Sequence, residues 1–341
     1  MKSNDLLVSH VHTSWNLCVL LLYAKLVRPK KLIIILERKL AITKFIRNDI
    51  PDFKIQIYYS ISHVQKLRVI WRIRNLISDK GGVEFVKFTN FNHFGQMIQF
   101  LSKFTKVVFL DDGTTFINIL DDSIVYTRGA RKVLKELLWP PGFRPKFGCF
   151  YGVSVAYLSH KSLIDDHLVD KQVVFEDFGQ IFSYFELRKV ANKYLLVDRE
   201  IKKWVELIAK YDTLILGTSF VKHGFMTETE YFDILREIEV PFPTKTLYKP
   251  HPHEEDFRLS DRGMNWVVEP LFNLPLEIFL SYAVPKRMIS FGSTSSFLLI
   301  DSKSDVKCEV ILISKLASKK IVDSLSALKN ELVDIRISHL S

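Results

Sequence analysis

The sequence predicts an α/β protein made of two doubly wound parallel sheets. Three observations lead there. Short β-branched apolar runs alternate with stretches that carry apolar residues at helical spacing, and the alternation appears in both halves of the chain. A Pro- and Gly-rich segment interrupts it near the middle. At 341 residues and 39.8 kDa, the chain exceeds what one hydrophobic core usually serves.

Taken in order, Asp5–Val11, Lys31–Leu36, Phe53–Tyr59, Val83–Phe88 and Lys106–Leu110 read as strands. Ser14–Leu26, His63–Ile77 and His93–Lys103 read as the helices between them, so the first half is a series of βα units. From Trp139 to Phe150, Pro140, Pro141, Pro145, Gly142 and Gly148 break the pattern, and 151–177 shows no clear period. The expected division is therefore a first domain at 1–150, a linker region at 151–185 and a second domain at 186–341. The second half resumes with helices at 198–210, 228–238, 276–283 and 295–300. Strands are expected at 213–216, 245–249, 266–268, 287–290 and 309–313.

Composition narrows the class. With 48% hydrophobic and 25% charged residues, the chain is neither disordered nor collagen-like. Cys18, Cys149 and Cys308 are too few and too scattered for a disulfide framework or a CxxC metal site. The start lacks the basic and apolar regions of a secretory signal, which leads us to expect a cytoplasmic protein. The run Val19–Tyr23 is too short to span a bilayer, which needs about 20 apolar residues. The net charge of +10 is lopsided: residues 1–150 hold 24 Lys/Arg against 11 Asp/Glu, and the remainder 24 against 27. A basic first half favours polyanionic partners without choosing among them.

Three strand ends carry residues suited to acid, base or phosphate chemistry. The first is Lys106-Val-Val-Phe-Leu-Asp111-Asp112-Gly113, where a buried strand delivers two carboxylates into a glycine turn; one can be held while the other serves as a base. A solvated Asp-Gly turn is the plainer reading. The second is Lys249-Pro250-His251-Pro252-His253-Glu254, in which prolines on both sides restrict His251. A fixed imidazole can donate to a phosphate oxygen or protonate a leaving group. His251 and His253 as a metal pair lack a third ligand nearby in sequence. The third is Ser290-Phe-Gly292-Ser293-Thr294-Ser295-Ser296, a strand running through glycine into four hydroxyls at a helix start, which makes an anion cradle. An ordinary serine cap explains one of those hydroxyls. Neither GxxxxGK[ST] nor GxGxxG is present.

This ordered set, Asp-Asp-Gly, then His-Pro, then Ser-Ser over about 185 residues, resembles the motifs of bacterial sialyltransferases of GT-B fold. These include the polysialyltransferase and the lipopolysaccharide or capsule sialyltransferase families; the long separation of Asp112 and His251 departs from the lipooligosaccharide sialyltransferases and favours the polysialyltransferase-like branch. Leu216-Gly217-Thr218-Ser219 and Pro275-Leu-Glu277 agree with the resemblance. It implies two Rossmann-like domains facing across a cleft and inverting transfer of sialic acid from CMP-sialic acid to a galactose, N-acetylgalactosamine or sialic acid of a surface glycan. It implies no cofactor and no metal. Asp112 would be the general base, Asp111 its support, and His251 the phosphate contact and candidate acid. Glu277 would grip the ribose, Ser295 and Ser296 the phosphate, and Gly217, Thr218 and Ser219 would line the CMP site.

Acceptor candidates at strand ends are His12, Thr13, Ser14, Asn90, Asn92 and His93, with Phe220 as a ring for sugar stacking; helix caps explain several equally well. The cation and aromatic pattern of Lys66, Arg68, Trp71, Arg72 and Arg74, and of Arg128, Arg131, Lys132, Lys135, Trp139 and Phe143, suits an anionic inner-membrane surface where a lipid-linked acceptor resides. Rival readings are a transferase of another nonulosonic acid, a nucleotide-sugar 2-epimerase, and a basic nucleic-acid-binding protein. The last lacks an RNP1 run, a zinc finger or a helix-turn-helix.

Overall fold

A computed structural model describes residues 6–78, 83–88, 98, 104–111, 153–158, 173–222, 224–238, 245–251, 254, 266–268, 274–301, 305–313 and 333–338. The chain divides into two compact units, Met1–Val197 and Asp198–Ser341.

The first unit is built on a seven-stranded, wholly parallel sheet. Its strands are β1 (Leu6–Val11), β2 (Lys31–Leu36), β3 (Lys54–Tyr59), β4 (Val83–Lys87), β5 (Lys106–Leu110), β6 (Val155–Leu158) and β7 (Val174–Asp177), in the order β3-β2-β1-β4-β5-β6-β7. β1, β4 and most of β2 and β5 are buried along their whole length, as expected of central strands covered on both faces.

Helix α1 (Ser14–Val27) buries every residue from Trp15 to Ala24, so no polar face marks it in the sequence. It starts in a capping box: Thr13 Oγ1 accepts from the Asn16 N–H at 3.0 Å, and Asn16 Oδ1 accepts from the Thr13 N–H at 3.2 Å. It ends at Arg28, which takes a left-handed φ of 50° ahead of Pro29. Helix α2 (His63–Ser78) packs Val69, Ile70 and Ile73 into the core with Leu6, Val8, Ile33 and Phe85.

The boundary differs from the expected one. Residues 151–185 contribute β6 and β7 to the first sheet, and helix α3 (Tyr184–Tyr194) lies in the same unit, its Glu186 paired with Lys25 of α1. Two four-residue strands carry too little pattern to betray a period, and β7 sits at the sheet edge, where Val174 is exposed and Glu176 and Asp177 are tolerated. Their parallel partners, not their local composition, make them strands. The first unit therefore runs to Val197, taking in the expected linker at 151–185 and the first residues expected in the second domain. The helix expected at 93–103 lies outside the described residues, apart from Ile98 in the core.

The second unit carries a six-stranded parallel sheet: β8 (Thr213–Leu216), β9 (Thr246–Lys249), β10 (Val267–Val268), β11 (Arg287–Ser290), β12 (Lys307–Ile313) and β13 (Val333–Ser338), ordered β10-β9-β8-β11-β12-β13. Four helices are described with it: α4 (Asp198–Ile208), α5 (Glu228–Arg236), α6 (Leu276–Leu280) and α7 (Thr294–Asp301). Trp204 of α4 is fully buried, and its indole N–H donates to the Ala283 carbonyl at 2.9 Å. The expected second-unit elements appear within a few residues of their sequence limits, and β13 is added at the edge.

Under α1 a buried polar network ties helix to sheet. The Tyr23 hydroxyl donates to Glu84 Oε1 at 2.5 Å, and Lys106 Nζ lies 3.2 Å from the same carboxylate oxygen. Burial holds the Tyr23 phenol protonated, so it remains a donor. Tyr23→Phe removes one of the groups that stabilise a carboxylate buried to 1% exposure. We expect a loss of about 1–3 kcal/mol, read as a lower urea midpoint with an unchanged slope. An unchanged midpoint would contradict this network.

Candidate functional site

In the second sheet the chain reverses its direction of winding between neighbouring β8 and β11. Open parallel sheets bind ligands outside the carboxyl ends of strands at such a point. β8 runs into Gly217, Thr218 and Ser219, β9 into Pro250 and His251, and β11 into Phe291, Gly292 and α7. In-register parallel pairing of β9 with β8 and of β8 with β11 puts these turns on one sheet edge.

The His251 turn is fixed by a carboxylate. Glu254 Oε2 accepts from the His251 backbone N–H at 2.7 Å, and the Glu254 N–H donates to the His251 carbonyl at 2.9 Å. The Tyr248 hydroxyl donates to Glu254 Oε1 and lies 2.8 Å from the Tyr231 hydroxyl. Both tyrosines are buried, and burial keeps their phenols protonated. This arrangement explains Gly217. A Cβ there would stand 2.0 Å from Glu254 Oε2 and 2.6 Å from the Tyr248 oxygen, so only glycine lets β8 end beside the turn. The Gly217 N–H donates to the Lys249 carbonyl at 2.9 Å.

A second link joins two helix starts. Ser295 Oγ, in the first turn of α7, donates to Glu277 Oε1 at 2.8 Å, in the first turn of α6. Both residues are buried. Gly292 takes φ 74°, the left-handed conformation that turns β11 into α7. Lys249 lies in the field of both Glu277 and Glu254. Burial lowers its ammonium's pKa while the two carboxylates oppose the shift. Burial in turn pushes both carboxyls up, against the hydrogen bonds that favour their charged forms and the attraction of Lys249. His251, Glu254, Lys249, Glu277 and Ser295 thus form a connected polar system.

The remaining sequence candidates fall differently. Ser296 is buried and its hydroxyl donates to Ser290 Oγ at 2.6 Å, so it braces the turn from within. Thr218 is buried; Ser219 and Phe220 are half-buried, and Phe220 packs edge-to-face on Phe225 at 6.1 Å. In the first unit, Asp111 is buried at the end of β5 and donates its N–H to the Tyr157 carbonyl. Thr13 and Ser14 begin α1, and the Thr13 hydroxyl is spent on the cap. His12 is half-buried, and burial together with neighbouring His10 pulls its pKa down to about 3. Asp112, Asn90, Asn92, His93 and His253 lie outside the described residues.

Sequence reasoning missed Glu254 as the anchor of the His251 turn, and with it Tyr248, Tyr231 and Lys249. Flanking prolines drew attention instead. The readable signal was a glutamate three residues beyond the histidine, able to reach back to a backbone N–H as in a capping box.

No protein-family model matches the sequence, and no curated protein sequence matches it. Solved structures do. An α/β-galactoside α-2,3-sialyltransferase from the luminous marine bacterium Photobacterium phosphoreum aligns over 98% of this chain and 99% of its own, with TM-score 0.58 and 14% identity. HepE from Anabaena, in complex with UDP and glucose, aligns over 98% and 85% with TM-score 0.51 and 11% identity. A UDP-glucosyltransferase from Polygonum tinctorium capable of glucosylating indoxyl aligns over 98% and 85% with TM-score 0.52 and 10% identity. The chain has the GT-B fold. Its two parallel α/β units are the Rossmann-like domains of that fold.

The raised Glu277 carboxyl has a thermodynamic signature. A folded-state pKa above the ordinary 4.5 means that the native state holds its proton longer. That residue's contribution to stability therefore falls as pH climbs from 4.5 through the folded value. Glu277→Gln keeps an oxygen for Ser295 but removes the titration. We expect its melting temperature to fall less steeply with pH across that window than the wild type's. An identical slope would contradict a buried, up-shifted Glu277.

Proposed function

We propose that this chain is an inverting, metal-independent sialyltransferase. It takes sialic acid from CMP-sialic acid and transfers it to a terminal galactose, N-acetylgalactosamine or sialic acid of a bacterial lipopolysaccharide, O-antigen or capsule. The observation that carries the reading is that the Glu254-fixed turn of His251 and the Glu277–Ser295 pair both lie at the carboxyl edge of the second sheet. The GT-B fold shared with a bacterial α-2,3-sialyltransferase supports it.

The chemistry asks for charge stabilisation on a departing phosphate monoester. The His251 imidazole and the Ser295 hydroxyl supply donors, and the start of α7 adds the positive end of its dipole. Glu277, steadied by the Ser295 hydroxyl, is placed to take the ribose hydroxyls. Gly217, Thr218 and Ser219 border the nucleotide. Ser296 holds the turn through Ser290. Asp112, steadied by Asp111, takes the proton from the acceptor hydroxyl as it attacks the anomeric carbon from the face opposite CMP, which inverts the centre. Such donors are worth a few kcal/mol each in a preorganised site, so no metal is needed at the phosphate. Candidates for the acceptor side remain His12, Ser14, Asn92 and His93, with Phe220 as a ring for sugar stacking.

The assay incubates the protein with CMP-sialic acid, EDTA and galactoside-terminated or sialylated acceptors. We expect CMP release with transfer. Asp112→Ala should abolish transfer and spare CMP binding, whereas His251→Ala should weaken both. Turnover of UDP-sugars with none of CMP-sialic acid would overturn the donor assignment, and the reverse mutant pattern would exchange the two roles.

We further propose that the enzyme works at an anionic membrane surface. Among the described residues no helix is long and apolar enough to cross a membrane. Helix α2 instead exposes Val64, Leu67 and Trp71 at 60, 63 and 66%, a stripe at i, i+3 and i+7 where a solvated helix would be polar. Arg68, Arg72 and Arg74 are exposed on the same helix. Each basic residue near such a surface adds about 1 kcal/mol, roughly fivefold in affinity. Flotation with phosphatidylglycerol vesicles should carry the protein upward and phosphatidylcholine vesicles should not. Trp71→Ala combined with Arg72→Gln should reduce the floated fraction several-fold, and equal flotation of the variant would contradict the docking helix.

A further inference from the structure

The geometry points to a divalent transition-metal site formed by His10, His12 and Glu37 at the carboxyl ends of β1 and β2. The strands dictate this meeting. His10 and His12 are two residues apart, so their side chains leave the same face of β1. The β1–β2 register pairs His10 with Ile35 and Val11 with Leu36, so the next step brings His12 level with Glu37.

One ligand atom from each of the three side chains lies within 4.8 Å of the others. His10 Nε2 stands 3.1 Å from Glu37 Oε1, and the two imidazoles meet edge-to-face with centroids 4.2 Å apart. Bonds of about 2.0–2.2 Å to a tetrahedral ion put ligand atoms about 3.3 Å apart. One pair already meets that spacing, and the others, within 4.8 Å, would have to close by up to about 1.5 Å on binding.

The donor set has the right chemistry. Two imidazole nitrogens and one carboxylate oxygen suit Zn²⁺ or a neighbouring first-row ion better than Mg²⁺ or Ca²⁺, which prefer oxygen. His12 Nε2 is buried with no hydrogen-bond partner among the described residues, an expensive state that a ligand bond would relieve. Glu37 is 25% exposed and gives the ion its entry.

Two cations oppose binding. Lys66 Nζ holds the other Glu37 oxygen at 2.7 Å, and Arg38 donates to the His12 carbonyl at 3.2 Å. Lys66 is itself partly exposed, and Arg38 is exposed, so water screens both charges. Three protein ligands leave a fourth position to water. The ion would pin the ends of β1 and β2 just before the α1 cap. It plays no part in phosphate departure, so the site is independent of which sugar is moved and of whether transfer survives EDTA.

The test uses the full chain without an affinity tag, stripped with EDTA and desalted. ZnCl₂ is titrated by calorimetry, and Co²⁺ is followed by its visible absorption. One equivalent should bind, with the intense bands of four-coordinate Co²⁺ and a rise in melting temperature. His12→Ala and Glu37→Gln should each weaken binding at least about tenfold, with circular dichroism showing both variants folded. Lys66→Gln should strengthen binding, a gain that misfolding cannot imitate. Absence of stoichiometric binding at metal on the order of 0.1 mM, or equal affinity in all three variants and wild type, overturns the site.

Discussion

The Glu254 carboxylate is the interaction on which the second unit's site depends. It accepts from the His251 backbone N–H on one oxygen and from the Tyr248 hydroxyl on the other. One side chain thus ties a turn to the strand that delivers it. A buried carboxylate carries a desolvation cost, seen in its raised pKa, and the surrounding donors offset that cost only while the turn keeps its shape. The same constraint reaches back to β8, where the space a Cβ would fill is already occupied by Glu254 and Tyr248. A glycine at 217, a tyrosine at 248 and a glutamate at 254 therefore support one another, and His251 inherits its position from all three.

Sheet topology makes that local device useful. Parallel strands point every carboxyl end the same way, and the change of winding direction between β8 and β11 opens a crevice where backbone does not cross. Into it come the His251 turn from one side and the α7 start from the other, linked through Lys249 to Glu277 and from Glu277 to Ser295. Burying one ammonium among two carboxylates is weak evidence for stability, because desolvation opposes it. It is better understood as positioning: the charges tie the His251 turn to the start of α6, at some thermodynamic cost.

Much of this was legible in the sequence where local pattern and tertiary role coincide. Lys31–Leu36 is an unbroken apolar run because β2 is covered on both faces, and Gly292 precedes a row of hydroxyls because a strand must turn left-handed into α7. Legibility failed where pairing decides. β6 and β7 are too short to carry a period, so they fell within the segment 151–185 expected as a linker, whereas the first unit runs on to Val197. Glu254 was passed over because its partners are a backbone N–H and two tyrosines that only the fold brings close. Ser296 looked like a twin of Ser295 in sequence, yet a helix turns successive side chains by about 100°, and it faces Ser290 instead.

A crystal structure of the chain with CMP tests the central claim most directly. The account places the phosphate oxygens within hydrogen-bonding distance of the His251 imidazole and the Ser295 hydroxyl, with the ribose hydroxyls on Glu277. A nucleotide seated away from that sheet edge, or a His251 ring turned from the phosphate, would contradict it.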